Sequence, residues 1–342
     1  MSGAYVPYHL RLNKAVERRL FVDLLTRVDR VRPIDQYKYI SFGGAFLEDF
    51  KLVHNAFGIC EMVSIEEDGN TLARQNFNRP FACIECLGSN SHDYISEFVR
   101  EDKDVVVWLD YANANEHRVQ IDEFGMMLRK LSEYDVLKLT LNANPNSLGA
   151  YGAHKKKEDG SLYREDKDQT HIARLNKFLK MVDDEYCPPG ISCEDMTRDA
   201  FPVLLNEMIQ IASEKAMKGK LAEGLYFQHL TSFLYADSEH QMLTVTGIVL
   251  SHAKTEEFAD EIGLSEWGHG GLDWGVVERI QIPAFSVMEK CEIDSLIHKM
   301  TDAEILDHLG FLFDKDRDVS EGAVANYRKY YRYYPNFQRV EA

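Results

Sequence analysis

Tyr37-Lys38-Tyr39-Ile40-Ser41-Phe42-Gly43-Gly44 is the stretch on which the fold turns. It reads as a strand that breaks at two glycines, and Phe46, Leu47, Phe50, Leu52 and Val53 follow at a helical period. Strand, glycine turn and helix in that order open an α/β unit. A glycine there lets the backbone approach a ligand where a Cβ would stand, and the helix behind it offers free N–H groups.

Working outward, residues 14–30 place Val16, Leu20, Phe21, Leu24, Leu25 and Val28 on one helical stripe, an amphipathic helix ahead of the sheet. Downstream, Cys60 to Ile65, Ala82 to Leu87, Asp104 to Leu109 and Tyr134 to Leu141 read as four more strands, separated by helical segments near 71–77, 92–100 and 118–132. Five strands alternating with helices indicate a parallel sheet covered on both faces. A helix near 199–218 leads to Leu225–Tyr235 and Gln241–Leu250, two strands joined by Ala236-Asp237-Ser238-Glu239, too short a turn for anything but an antiparallel pair. Residues 150–172, with Lys155-Lys156-Lys157 and Glu158-Asp159-Gly160, read as solvated insertion. Beyond 251 come a Gly- and Trp-rich loop, Trp267 to Trp274, a helix at 302–314, and the aromatic tail Tyr327 to Pro335, whose period suits a packed amphipathic helix better than a single-strand-binding surface.

Composition sets bounds on function. The 342 residues are 45% hydrophobic and 28% charged with 9 Pro, as in a globular chain that folds nearly throughout. A formal charge of −17 disfavours nucleic acid as a partner, because nonspecific affinity for it comes from Lys and Arg. No run approaches 18 apolar residues and the start lacks a secretory pattern, so the expected location is the cytoplasm, with no membrane partner. The 6 cysteines are expected to be reduced, and Cys83-x-x-Cys86 lies in a strand-like run without further ligands, so no metal site is expected there.

Ligands of open α/β sheets bind beyond the carboxyl ends of the strands, where this chain has Ser41 to Gly44, Glu66-Glu67, Gly88-Ser89-Asn90, Asp110-Tyr111 and Asn142 to Asn146. The acidic pair follows the glycines by about 20 residues, the spacing at which a carboxylate accepts ribose hydroxyls. Together these residues and the 225–250 hairpin resemble the class I S-adenosylmethionine-dependent methyltransferases over roughly residues 37–250. The resemblance implies a Rossmann-like, mostly parallel seven-stranded sheet with a terminal antiparallel hairpin, helices on both faces and a C-terminal extension.

It implies S-adenosylmethionine as cofactor, with Ser41, Phe42, Gly43 and Gly44 along the methionine part, Glu66 or Glu67 on the ribose, Ser89 and Asn90 flanking adenine, and Asp110 facing the transferred methyl. Two departures stand out: the glycines are adjacent rather than spaced, and the family's acid in strand one is replaced by Tyr39 or Ser41. The domain boundaries expected on this reading are 1–36 for an N-terminal helical segment, 37–250 for the α/β domain with a charged insertion near 146–198, and 251–342 for the extension. Asp110 with Asn142 or Asn144 also imitates part of the metal set of some O-methyltransferases, although such loop residues commonly form turns.

Among His229, His240, His252 and His269, the last is the preferred candidate base because it sits in the glycine-rich loop. The acceptor stays unidentified and an oligomer stays open. Two other readings remain: a noncatalytic protein that senses a nucleotide or assembles with a partner, and another nucleotide-dependent enzyme such as an NAD-dependent oxidoreductase. The hairpin favours the methyl donor, since a dehydrogenase usually carries a second parallel set of strands.

Overall fold

A computed structural model describes residues 11–151, 154–156, 162–164, 166–182, 184–237 and 240–335. Lys157 to Gly160 of the charged insertion and Ser238-Glu239 of the hairpin turn lie outside them. Helix α1 (Leu12–Val28) precedes β1 (Lys38–Ser41), α2 (Glu48–Phe57), β2 (Glu61–Glu66), α3 (Gly69–Asn78), β3 (Ile84–Gly88), α4 (Ser91–Glu97), β4 (Val105–Asp110), α5 (His117–Lys130) and β5 (Val136–Asn142). A small hairpin, β6 (His154–Lys156) with β7 (Leu162–Arg164), then α6 (Lys167–Met181) and α7 (Ala200–Met217) lead to the long antiparallel pair β8 (Leu225–Ala236) and β9 (Gln241–Ser251). The chain continues through α8 (Thr255–Glu261), α9 (Leu264–Trp267), β10 (Glu278–Ile280), α10 (Val287–Leu296), α11 (Asp302–Leu309) and α12 (Arg317–Tyr330).

The main sheet runs β10-β8-β9-β5-β4-β1-β2-β3. Only β9 runs against the others, wedged between β5 and β8. The architecture is the expected one with an eighth strand, β10, added at the edge. Val105 to Leu109 and all of β5 are buried, as strands covered on both faces must be. One face packs Trp108, Tyr39 and Phe233 under α1, α2 and the helices beyond residue 255; the other packs Ile40, Val107 and Leu139 under α4, α5, α6 and α7.

Helix α1 fixes the geometry of the carboxyl edge. Its amides at Asn13 and Lys14 donate to the Asp237 carboxylate at 2.7 and 2.9 Å, so the end of the hairpin neutralises the helix's positive terminus. Halfway along, Glu17 accepts from Lys138 of β5 at 2.5 Å and from Thr244 of β9 at 3.1 Å.

One stretch differs from expectation. The stretch 150–172 is not solvated throughout: Thr170 is buried in α6, and further along that helix Phe178 packs on Phe201 and the fully buried Arg174 donates to the carbonyls of Gly149 and Met196 and to Asn146 Oδ1 at 2.6–2.8 Å. Its apolar stripe is too narrow to register among so many charges. In the residues after 251, β10 extends the sheet and α8 to α12 share a core with α1. The aromatic tail packs as a helix end, with Tyr327 and Tyr330 buried and Arg328 donating to Asp302 and the carbonyl of Met300.

Candidate functional site

The carboxyl ends of β3, β2, β1 and β4 stand side by side, bringing most of the sequence-selected residues to one edge. Ser41 pairs with Ser64 on one side and Trp108 on the other, and Glu66 pairs with Gly88.

At the turn after β1 the Gly43 N–H donates to Ser64 Oγ at 3.1 Å. A Cβ on Gly43 would collide with the Leu47 side chain and that same hydroxyl, so close packing of the turn requires a glycine here. Gly44 and Leu47 both adopt left-handed backbone, φ 49° and 52°. For Leu47, the residue just before α2, this is a strained conformation held by a fully buried side chain. The first turn of α2 is acidic, and the buried Asp49 takes a two-point ion pair from Arg18 of α1, one arm at 3.0 Å.

The turn is wired to the acid of β2. Ser64 Oγ donates to Gln75 Oε1 at 3.1 Å, and Gln75 Nε2 reaches Glu66 Oε2 at 3.5 Å. Gln75 is fully buried, so its amide has no alternative partner in water. Glu66 is half-buried, its other oxygen accepts from the Asp68 N–H at 3.0 Å, and burial raises its pKa. Glu67 is exposed and outside this chain of bonds. Beside Glu66, the Ser89 N–H donates to the Glu66 carbonyl at 3.2 Å, and Asn90 caps α4 by accepting from the Asp93 N–H at 2.8 Å.

Asp110 closes β4 next to the turn. Lys14 Nζ lies 3.4 Å from Asp110 Oδ2. Burial pushes the Asp110 carboxyl up, but Lys14, Arg18 and Lys138 together outweigh it and hold the group below the usual carboxylate range. Burial lowers the Lys14 ammonium, with Asp110 opposing. On the other side of the edge, Phe42 meets Tyr111 edge to face at 5.2 Å, and the Tyr111 hydroxyl donates to the buried Glu123. Asn142 and Asn144 are turn formers: Asn142 Oδ1 accepts from the Asn144 N–H and Asn144 Oδ1 from the Asn146 N–H. Among the described residues no group of three or more His, Cys, Asp or Glu has metal-holding geometry.

His269 stands apart from these residues. It bonds Glu278 of β10 at 3.1 Å and is enclosed by Trp267, Tyr330 and Tyr333. Four strand spacings separate β10 from β4, about 19 Å. His229 is buried against Gly271 and Ser232, and His252 stacks on Tyr226. Lys14, Arg18 and Tyr235 carry no signal of a site in the sequence, yet the fold brings them to the Asp110 side of the edge; likewise the buried His117, whose Nε2 meets the Asn142 carbonyl at 2.7 Å.

With this edge on view, comparison with known families becomes decisive. A family described as "Putative O-methyltransferase" matches residues 6–342, nearly the whole chain. The chain belongs to this O-methyltransferase family. It is an S-adenosylmethionine-dependent methyltransferase with a Rossmann-like class I fold, acting on an acceptor still to be specified.

Solved structures similar to this methyltransferase include a probable spermidine synthase from Corynebacterium glutamicum (10% identity, 80% of this chain and 82% of that one, TM-score 0.39). Others are the N-methyltransferase NodS from Bradyrhizobium japonicum (9%, 69% and 97%, TM-score 0.36) and the O-methyltransferase TomG from Streptomyces achromogenes (12%, 68% and 79%, TM-score 0.34). All three scores fall below 0.5, and the assignment rests on the family match. A search of curated proteins gives no match. Among the described residues of this O-methyltransferase, no helix is long and apolar enough to cross a membrane.

Proposed function

We propose that methyl transfer to an acceptor oxygen takes place at the carboxyl edge of β1, β2, β3 and β4. The observation that carries this reading is the continuous path Gly43 N–H, Ser64 Oγ, Gln75, Glu66, which fixes the glycine turn and the acid of β2 relative to one another. In this reading Glu66, not Glu67, accepts the ribose hydroxyls: it is half-buried, it is held by the path, and its carboxylate has acceptor capacity beyond its two present bonds. Ser41 to Gly44 run along the cofactor, Ser89 borders adenine together with the Phe42–Tyr111 pair, and Asn90 acts through the cap of α4.

S-adenosylmethionine supplies the electrophilic methyl group. The protein's part is to align the acceptor oxygen with it and exclude water, which requires positioning more than side-chain chemistry. Asp110 suits recognition of positive charge better than proton abstraction, because three cations keep it ionised and weaken it as a base.

Calorimetric titration with S-adenosylhomocysteine tests the reading. Glu66→Gln is expected to weaken binding about tenfold or more, the worth of a charged hydrogen bond, while Glu67→Gln stays near wild type. Equal effects of the two substitutions would overturn the assignment.

A further inference from the structure

The loop after α11 is apolar where a connection between helices is ordinarily polar. Gly310 ends the helix in left-handed backbone, and Phe311-Leu312-Phe313 follow before Asp314. Together with Pro283 and Phe285, which lead into α10, they line a groove of about 480 Å³ in which Glu289 is the one charged side chain among the described residues. Phe285 and Phe313 meet at 4.5 Å between ring centroids, Phe311 and Phe313 at 5.6 Å, and Phe285 packs on the buried Tyr327 of α12. The aromatic wall is therefore fixed to the core. Phe311 and Leu312 are nonetheless 45% and 43% exposed, and Val287 and Met288, which open α10, are 75% and 78% exposed. Val319, one helical turn before the groove-lining Ala323, is exposed as well. Apolar surface gathered in this way around a depression marks a docking place.

The rim decides what docks. Residues 283–323 hold 10 Asp and Glu against 4 Lys and Arg. Asp314, Asp316 and Asp318 are exposed directly after the phenylalanines, and Glu321 stands between Val319 and Ala323 in α12. Of the cations nearby, Lys290 is engaged by Asp294 at 3.1 Å and Arg317 by Asp307 at 2.8 Å. A second copy would set these acids against their own kind, and an anionic lipid surface would be repelled. A helix with one apolar face flanked by cations matches both the groove and its rim.

We propose that this groove docks a cationic amphipathic helix of a partner protein, its apolar side chains among Phe285, Phe311 and Phe313 and its Lys or Arg against Asp314, Asp318 and Glu321. The groove opens on the side of the sheet where methyl transfer is proposed. Strand β10 runs parallel to β8, so Pro283 follows it at the carboxyl edge, and the Ile282 N–H donates to Asn13 Oδ1 of α1 at 2.7 Å. A docked partner is thus held beside that edge without using its residues, and the proposal does not depend on the cofactor assignments above.

The probe is a fluorescein-labelled peptide of about 18 residues built from Leu and Lys, with leucines at i, i+3, i+4 and i+7, beside a Leu/Glu peptide of the same pattern. Fluorescence anisotropy with the full chain should give micromolar, one-to-one binding of the Leu/Lys peptide and at least about tenfold weaker binding of the Leu/Glu peptide. Met288→Ser combined with Leu312→Ser should weaken the Leu/Lys peptide about tenfold at an unchanged melting temperature. If the pair disturbs folding, Met288→Ser alone, at the more exposed position, must still weaken binding. Phe77→Ser, at a 90% exposed apolar residue of α3, should leave the affinity within about twofold. Asp318→Asn with Glu321→Gln should narrow the gap between the two peptides.

An affinity unmoved by the groove variants, or moved as much by Phe77→Ser, would reduce the binding to attraction by the overall charge of −17 and overturn the proposal. Absence of binding would overturn it too, as would a micromolar dimer in sedimentation that Leu312→Ser dissociates, which gives the groove to a second copy. Glu66→Gln, which tests the ribose assignment, should leave peptide binding untouched, so the two readings fail separately.

Discussion

Lys138→Met is the substitution that most sharply tests how α1 is held on the sheet. The ammonium is wholly buried in β5, bonded to Glu17, and sits 3.7 Å from the Trp108 ring centroid and 4.1 Å from that of Phe21. Removing it leaves the Glu17 carboxylate, itself 1% exposed, with Thr244 as its one remaining donor among the described residues. Loss of one partner of a buried pair costs about 3–5 kcal/mol. Against a typical total of about 5–15 kcal/mol that is a large share. At a urea m-value near 3 kcal/mol/M it lowers the midpoint by about 1–2 M. The companion Glu17→Gln keeps an acceptor for Thr244 without the charge, so the double variant should recover most of the loss. Equilibrium urea unfolding of wild type, both single variants and the double variant yields the coupling energy directly. A cost below about 1 kcal/mol for Lys138→Met, or a double variant equal to the sum of the singles, would refute the argument that the pair anchors α1.

Further outcomes follow from other parts of the molecule. Burial lowers His117 and His229 to about 4 from an ordinary value near 6.5. The unfolded chain thus binds more protons between those values, and stability should fall as pH drops from about 6.5 toward 4, by roughly 3 kcal/mol per histidine at the limit; urea midpoints across that range should show a slope that His117→Gln shrinks. Gly43→Ala forces a Cβ into Leu47 and Ser64, so it should cost about 1–3 kcal/mol and weaken S-adenosylhomocysteine binding, read by thermal unfolding and calorimetry. His269→Asn should lower the melting temperature by loosening the Glu278–Tyr330 cluster while leaving cofactor affinity at the wild-type value, since four strand spacings lie between it and β4.

The order of strands was legible because β-branched runs, glycine breaks and helical stripes alternate cleanly from Tyr37 to Asn142, and the short turn after Ala236 fixes the antiparallel pair. Glu66 and Asp110 were legible by position at strand ends. The partners that give them meaning were not, because they come from elsewhere in the chain. Lys14, Glu17 and Arg18 lie at i, i+3 and i+4 of an amphipathic helix and read as its wet side, yet all three are buried. The one internal hint was Lys138, a lone cation inside Val136-Leu137-Lys138-Leu139, which requires a buried counter-charge from some other element. His269 attracted attention because its loop is rich in glycine, but periodicity carries no information about which edge of a sheet a late loop will reach. Gly43 shows the same limit at short range: the residue type signals an absent Cβ, and only the packed neighbours reveal that a leucine and a serine fill the space.

A crystal structure with S-adenosylhomocysteine is the most direct test of the carboxyl-edge site. The ribose hydroxyls should lie within hydrogen-bonding distance of Glu66, with the ligand running along Ser41 to Gly44 beneath α1. The opposite edge of the sheet, at the amino ends of these strands, carries a depression of about 440 Å³ lined by Arg32, Tyr37, Glu61 and Asp104 among others. A ligand seated there, or anywhere away from Glu66 and the glycine turn, would contradict the account.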